Sequence, residues 1–380
     1  MGLSTDILCV NHSLRTLDNQ KEVMMQLSPH LEINLGKLEE NSRRIVDKCL
    51  QRDIEVLGVT KGFSALPRIV KAMIKGGIQE LADARLENVI ALRQQHFSQN
   101  MTLLRIPRLS AVEEVITFTD YSINSELTVV RAISDKASER GINHNIILMI
   151  DVGDLREGVL PEDAAALAEK IVRLPGVTLC GIGTNMGCYG GVLPSIDNLN
   201  LLLDVKNEIE NKVGIHLKMV SGGGTSSLKL VDNGMMPPGI NQLRIGEGIL
   251  LGTDTTHDAV IPWLHQDAFL LRTEVIEMKI KPSIPIGVTG QDSSGNKPVF
   301  IDRGLRKRAI VALGKQDVNI EGLIPVDENI HILGGSSDHL IVDVDDAGDR
   351  INVGDQVTFR LNYQGLLSSG SSKYIKKVYI

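Results

Sequence analysis

Lys61, the turn Ser221-Gly222-Gly223-Gly224-Thr225-Ser226-Ser227 and Arg244 are the residues of this chain whose types and surroundings suit chemistry. Lys61 directly follows Glu55-Val56-Leu57-Gly58-Val59-Thr60, an apolar run that reads as a buried strand. Desolvation at such a strand end disfavours an ammonium, and the neutral amine is the nucleophile of Schiff-base chemistry. A lone strand-end lysine is more often a solvated loop residue, so the weight comes from the other two features. Three glycines let backbone amides close on an anion, Thr225 and Ser226 add hydroxyl donors, and a helical turn follows. No Gly-Lys-Ser/Thr follows, which excludes a Walker loop, and Gly187, Gly190 and Gly191 do not match a dinucleotide fingerprint.

A phosphate cradle opposite a strand-end lysine points to pyridoxal 5′-phosphate, its aldehyde on Lys61 and its phosphate on the glycine turn. Arg244, if it faces the ring nitrogen, donates from a cation that accepts no proton. The ring is then a weaker electron sink, which favours proton return at Cα over transamination. Read alone, Arg244 is equally a structural ion-pair residue.

These residues need elements to hold them at strand ends. Eight short strand candidates lie at 55–60, 80–82, 102–105, 121–123, 145–150, 178–183, 217–220 and 242–245. Amphipathic helical stretches at 67–75, 86–94, 111–117, 126–140, 161–174 and 196–212 separate them. Eight β-then-α units predict an α/β fold, a (β/α)8 TIM-like barrel, with an open doubly wound sheet as the alternative; both gather chemistry at the carboxyl ends of the strands. A strand at 31–35 and a helix at 37–52 precede them. After Trp263 the pattern changes to short alternating runs at 269–280, 309–313, 340–344, 356–361 and 374–380. Turn signals such as Asp292-Ser293-Ser294-Gly295-Asn296 break these runs, and no long helix is expected. The predicted organisation is an N-terminal extension over 1–30, a cofactor-binding barrel over 31–263 whose first strand is free to join the second domain, and an all-β domain over 264–380.

Hydrophobic residues at 42% and charged residues at 23% are those of a soluble globular protein. The net charge of −7 argues against nucleic acid or an anionic membrane as partner. No apolar stretch reaches the roughly 18 residues that span a bilayer, and residues 1–10 lack the basic start of a signal peptide. Cys9, Cys49, Cys180 and Cys188 form no CxxC pair, which fits a reducing cytoplasm; Cys188 reads as a small buried residue rather than a reactive thiol.

In this order the residues resemble the alanine racemase family, and within it the alanine/ornithine racemase branch, over residues 31–380. Val59-Thr60-Lys61 matches the Schiff-base lysine. Asp151-Val152-Gly153-Asp154-Leu155-Arg156-Glu157-Gly158 resembles the segment whose arginine, here Arg156, lies near the cofactor's phenolic oxygen. Asn185 stands where the family usually has a histidine on the ring face. Ser221, Thr225 and Ser226 fall on the phosphate loop, and Arg244-Ile245-Gly246-Glu247 on the ring-nitrogen arginine and the phosphate-contacting residues beyond it. Ser337-Asp338-His339 resembles a segment lining the partner subunit's substrate site, and Tyr363 a tyrosine that reaches the phosphate. Three positions depart: Ala65 replaces a tyrosine, Met149 and Ile150 lie where a carbamylated lysine is common, and Gly314-Lys315-Gln316-Asp317 lacks the tyrosine that serves as second base. The resemblance implies a pyridoxal-phosphate-dependent amino-acid racemase working as a head-to-tail homodimer, without metal. Lys315, Asp317, Asp338 and His339 are the candidates for the second acid–base group. Ornithine is the favoured substrate ahead of lysine and alanine, with Asp154, Glu247, Asp317 and Asp338 available to its distal amine. A cofactor carrier without turnover lacks a β domain, and a decarboxylase of this class needs a cysteine in that domain, where none follows Cys188.

Overall fold

The computed structural model describes residues 29–380 apart from 292–294, 296 and 298. It divides into two units, Leu35–Gln266 and a second made of Asp267–Ile380 with the segment that ends at Asn34. The predicted turn at 292–296 lies mostly outside the described residues, as does the predicted extension; of the latter only Pro29 and His30 are described, and His30 already belongs to strand β1, His30–Ile33.

Leu35–Gln266 is the expected barrel. Helix α1 (Leu35–Leu50) leads into β2 (Glu55–Val59), α2 (Pro67–Lys75), β3 (Glu80–Asp83), α3 (Leu86–Gln94), β4 (Met101–Leu103), α4 (Val112–Phe118), β5 (Tyr121–Asn124), α5 (Leu127–Glu139), β6 (His144–Met149), α6 (Pro161–Ile171), β7 (Val177–Thr184), α7 (Ile196–Val213), β8 (Met219–Gly222), α8 (Leu228–Asp232), β9 (Gln242–Ile245) and α9 (Glu247–Leu251). Strands β2 to β9 pair in sequence order and close β9 on β2, all parallel, so the open-sheet alternative falls. The helix signals are local. Proline opens α2 and α6, where its missing N–H costs nothing, and Ser195 with Asn198 forms a reciprocal cap on α7. A small hairpin, β10 (Thr253–Asp254) with β11 (Ala259–Val260), follows.

Two layers of core hold the barrel. Leu57, Val59 and Ala82 with Leu104, and Ile123, Ile147 and Met149 with Tyr121, Cys180 and Met219, are clusters that contain no helix residue; they fill the interior. Ile146, Leu148 and Ile150 pack instead with Val130 and Ile133 of α5 and Ala164 and Ala168 of α6. Successive residues of a strand therefore face opposite layers, and this parity decides which polar side chains reach the mouth.

The second unit is built on an eight-stranded sheet in the order β14 (Leu323–Pro325), β17 (Gln356–Leu361), β12 (Phe269–Pro282), β13 (Leu305–Val311), β16 (Leu340–Asp343), β15 (His331–Gly335). Off this path, β1 joins β12 to β18 (Lys376–Tyr379), antiparallel to the first and parallel to the second. One helix, α10 (Tyr363–Ser371), was not foreseen. Its glycine and serines are weak helix formers, yet they let it pack closely: a Cβ on Gly365 would stand 2.6 Å from the Gly322 carbonyl oxygen.

Candidate active site

Lys61 opens the tight turn Lys61–Phe63 directly beyond β2 and is half-buried. Leu57 and Val59, which precede it on β2, face the barrel interior. The residue before it is tied down. Thr60 donates its hydroxyl to Asp83 Oδ2 at 2.5 Å and its amide to the Ala82 carbonyl at 2.9 Å. Asp83 is buried at the end of β3. Burial pushes its carboxyl up, while the bonds from Thr60, the Arg85 amide and Asn88, and the charge of Lys61, pull it back.

Arg244 lies on the neighbouring strand. β2 and β9 pair Leu57 with Arg244, which puts the arginine on the interior face. Its guanidinium donates to Ser221 Oγ and to the Thr184 carbonyl, both at 2.5 Å. Burial pushes the Arg244 pKa down to about 10, opposed by Glu157 and Cys188. The glycine turn stands beside it. Gly223 has φ +103°, open to glycine and strained for other residues, and a Cβ there would meet Ser227 Oγ at 2.8 Å. Thr225 Oγ1 accepts from the Gly248 amide at 3.1 Å, so its lone pair is engaged in docking α9. Ser226 is buried, and its hydroxyl makes no hydrogen bond among the described residues. Gly246 packs on β2: a Cβ there would touch Val59 Cβ at 3.2 Å.

The loops after β6 and β7 complete this side. Arg156 pairs with Glu157. Burial works against the Arg156 charge, but Glu157 and the Cys188 thiol outweigh it and its pKa is raised. The Asn185 amide satisfies both its ends when its oxygen faces Arg156, accepting from Nη2 at 3.1 Å and from the Met186 amide at 3.2 Å. Cys188, expected to be buried, is exposed; its glycine-rich surroundings supply little to cover it.

Two acids foreseen for a substrate amine are committed elsewhere. Asp154 is buried, and its carboxylate gathers the backbone amides of Gly187, Tyr189, Gly190 and Val192 at 3.1 to 3.4 Å. Glu247 Oε1 accepts from the Thr253 and Thr255 hydroxyls and the Thr255 amide. Neither engagement is visible in sequence, because the donors are backbone amides and threonines 6 to 38 residues away.

Within the second unit, Lys315, Asp317, Asp338 and His339 converge. The Lys315 and Gln316 amides donate to the Ser336 and Ser337 carbonyls, Asp317 takes the Gly314 amide, Asp338 takes the Ser337 hydroxyl, and the His339 amide donates to Ser336 Oγ. Gly314 is obligatory there, since a Cβ would stand 2.1 Å from the Ser337 oxygen. Lys315 and Asp317 edge an open groove of about 580 Å³ that Ser368 and Ser371 of α10 also line. Tyr363 is the first residue of α10, behind the Asn362 cap.

Residues 33–253 match the family described as alanine racemase, N-terminal domain. The chain belongs to the alanine racemase family, a family of amino-acid racemases. It is 45% identical over 351 residues to a lysine racemase of Thermotoga maritima, covering 92% of this chain and 98% of that one. It is 41% identical over 350 residues to an ornithine racemase of Acetoanaerobium sticklandii, covering 92% and 99%. The solved alanine racemase of Clostridium difficile shares the fold, with a TM-score of 0.72 at 20% identity over 93% of this chain and 95% of that one. Among the described residues no helix is long and apolar enough to cross a membrane.

Proposed function

We propose that this chain interconverts the L- and D-forms of a basic amino acid by taking and returning the Cα proton, with pyridoxal 5′-phosphate as cofactor and ornithine preferred over lysine and alanine. The observation that carries the reading is the buried Arg244, one strand from Lys61, with two of its five donors on Ser221 and Thr184. A buried guanidinium without an ion pair among the described residues is costly unless a ligand takes the remaining donors.

The residues fit the cofactor. Lys61 is the primary amine for its aldehyde. Ser226, with an unengaged hydroxyl, the close-packed Gly223 and Gly246, and the backbone at Thr225 and Glu247 suit the phosphate. Arg156 with Asn185 suits the phenolic oxygen. When bound, the group supplies an electrophilic carbon for the substrate amine and a ring that delocalises the electron pair left at Cα. Arg244, with donors left over from Ser221 and Thr184, would hold the ring nitrogen by donation without protonating it. Lys61, as a free amine, moves the Cα proton on one face. Lys315, Asp317, Asp338 and His339 are assigned to the opposite face, supplied by a second copy in a homodimer. Two basic-amino-acid racemases at 45% and 41% identity support a basic side chain. With Asp154 and Glu247 engaged, its distal ammonium falls to Asp317 or Asp338.

The test is incubation of the cofactor-loaded protein with L-ornithine, L-lysine and L-alanine in deuterated water, followed by chiral chromatography and mass spectrometry. Wild type should yield the D-form with deuterium at Cα, fastest for ornithine. Lys61→Ala should lose at least ~10²-fold, the usual minimum for a positioned acid–base group; retention of most activity refutes the lysine assignment. Cofactor uptake without deuterium incorporation from any substrate would make the chain a carrier.

A further inference from the structure

We propose that Asp83 is a positioning residue for Lys61: its carboxylate fixes the backbone ahead of the lysine through Thr60. The proposal rests on the reading of Lys61 as the reactive amine.

Asp83 is 1% exposed, yet among the described residues no cation lies within ion-pair distance of it. Such a carboxyl is costly to bury unless its bonds are well placed. Three are: Thr60 Oγ1 at 2.5 Å and Asn88 Nδ2 at 3.1 Å on Oδ2, and the Arg85 amide at 2.7 Å on Oδ1. The charged group acting on it is the Lys61 ammonium. Its own backbone is clamped on both sides, with the Ala82 carbonyl taking the Thr60 amide at 2.9 Å and the Asp83 carbonyl taking the Leu104 amide at 2.8 Å.

A plainer role is available. The bond to the Arg85 amide is an Asx turn that leads into α3. An asparagine serves that role equally well. A cap does not need Thr60, which stands directly before Lys61: the tie to Thr60 runs to the peptide that carries Lys61, not to α3. The parity of the strands agrees: Val59 and Ala82 face the interior, so Thr60 and Asp83 face the helix layer and act on a ligand only through Lys61.

The experiment is trace acetylation of the full-length, cofactor-free protein at pH 8, read as the Lys61 to Lys71 ratio by peptide mass spectrometry; Lys71 is exposed on α2 and serves as reference. Asp83→Asn, which replaces the Oδ2 acceptor by an NH2 group, should shift the ratio by more than about twofold as the turn loosens. Thr60→Val, which removes the same tie, should shift it in the same direction. After reloading with cofactor, both should lower kcat while leaving KM within twofold. Ratios within twofold of wild type in both variants would reduce Asp83 to a cap and overturn the proposal. If Asp83→Asn does not fold, Thr60→Val alone decides by an unchanged ratio and kcat. The acetylation ratio does not depend on turnover, so a failure of the catalytic reading, seen as an active Lys61→Ala, is distinguishable from a failure of the coupling.

Discussion

Removing the charge of Asp154 should loosen the loop after β7 by an amount that its bonds allow to be estimated. Oδ1 accepts from Gly187 and Gly190 at 3.1 Å and Val192 at 3.4 Å, and Oδ2 from Tyr189 at 3.2 Å. Gly187 at φ +80° and Gly191 at φ +68° turn these amides inward. In Asp154→Asn the oxygen can keep three of the four, but the new NH2 then faces the Tyr189 N–H. One charge-assisted bond is lost outright, about 1.5–3 kcal/mol, and the other three weaken. We expect about 2–3 kcal/mol of local destabilisation. At about 1.4 kcal/mol per tenfold, hydrogen exchange at Gly187, Tyr189, Gly190 and Val192 should quicken by roughly 30- to 150-fold. Amides of α1, remote in sequence, should hold their rates. If the loss becomes global, a unit of this size should drop in Tm by roughly 5–10 °C. The loop carries Asn185 and Cys188, so racemisation should fall with it. Unchanged exchange at all four amides in Asp154→Asn would refute the assignment of the carboxylate as the clasp.

Two further tests follow. His144 lies buried with Nε2 at 2.9 Å from Ser122 Oγ, and burial pushes its pKa down to about 4 from 6.5. The folded state therefore refuses a proton that the unfolded chain accepts; stability is full above about pH 6.5 and is lost as pH falls towards 4, on the order of 3 kcal/mol in total. Urea midpoints should fall across that window in wild type and stay flatter in His144→Gln, and parallel curves would exonerate the histidine. Gly223→Ala is strained by φ +103° and by a 2.8 Å contact, whereas Gly224→Ala meets only the Arg244 carbonyl at 3.3 Å at an ordinary φ. Fluorescence titration with pyridoxal 5′-phosphate should find the first weakened by at least ~tenfold, and the second less; the reverse order would count against the phosphate turn.

The barrel was readable because every strand is a short apolar run between helices with local start signals, and those signals need no tertiary knowledge. The deviations fall where a residue's role is set by something distant. β8 was expected at 217–220 and is Met219–Gly222. Ser221 and Gly222 have turn-like composition, but Gly222 is a strand residue packed so closely on Ile240 that a Cβ would meet it at 2.5 Å. The sequence offers Asp154 to a substrate amine and gives no sign that Asp83 is buried, since aspartate is mostly exposed. Their burial depends on amides and hydroxyls that other loops bring to them.

The strand register separates the residues that face the barrel interior from those that support them. In a parallel barrel, paired residues share a face. Met149 is interior, and the register runs from it to Gly183, from Gly183 to Ser221, and from Ser221 to Gln242. Arg244, two residues on from Gln242, keeps that face and pairs with Leu57, which lies in the interior cluster. Ser221 and Arg244 are thus inward neighbours on adjacent strands, and Lys61 opens the turn that follows the next strand, β2. Thr60 and Asp83 lie one residue out of phase, and their partner Asn88 comes from α3 of the helix layer. A one-residue slip of β2 would break the bond from Thr60 to Asp83. The tie therefore also holds the register of β2 directly ahead of Lys61.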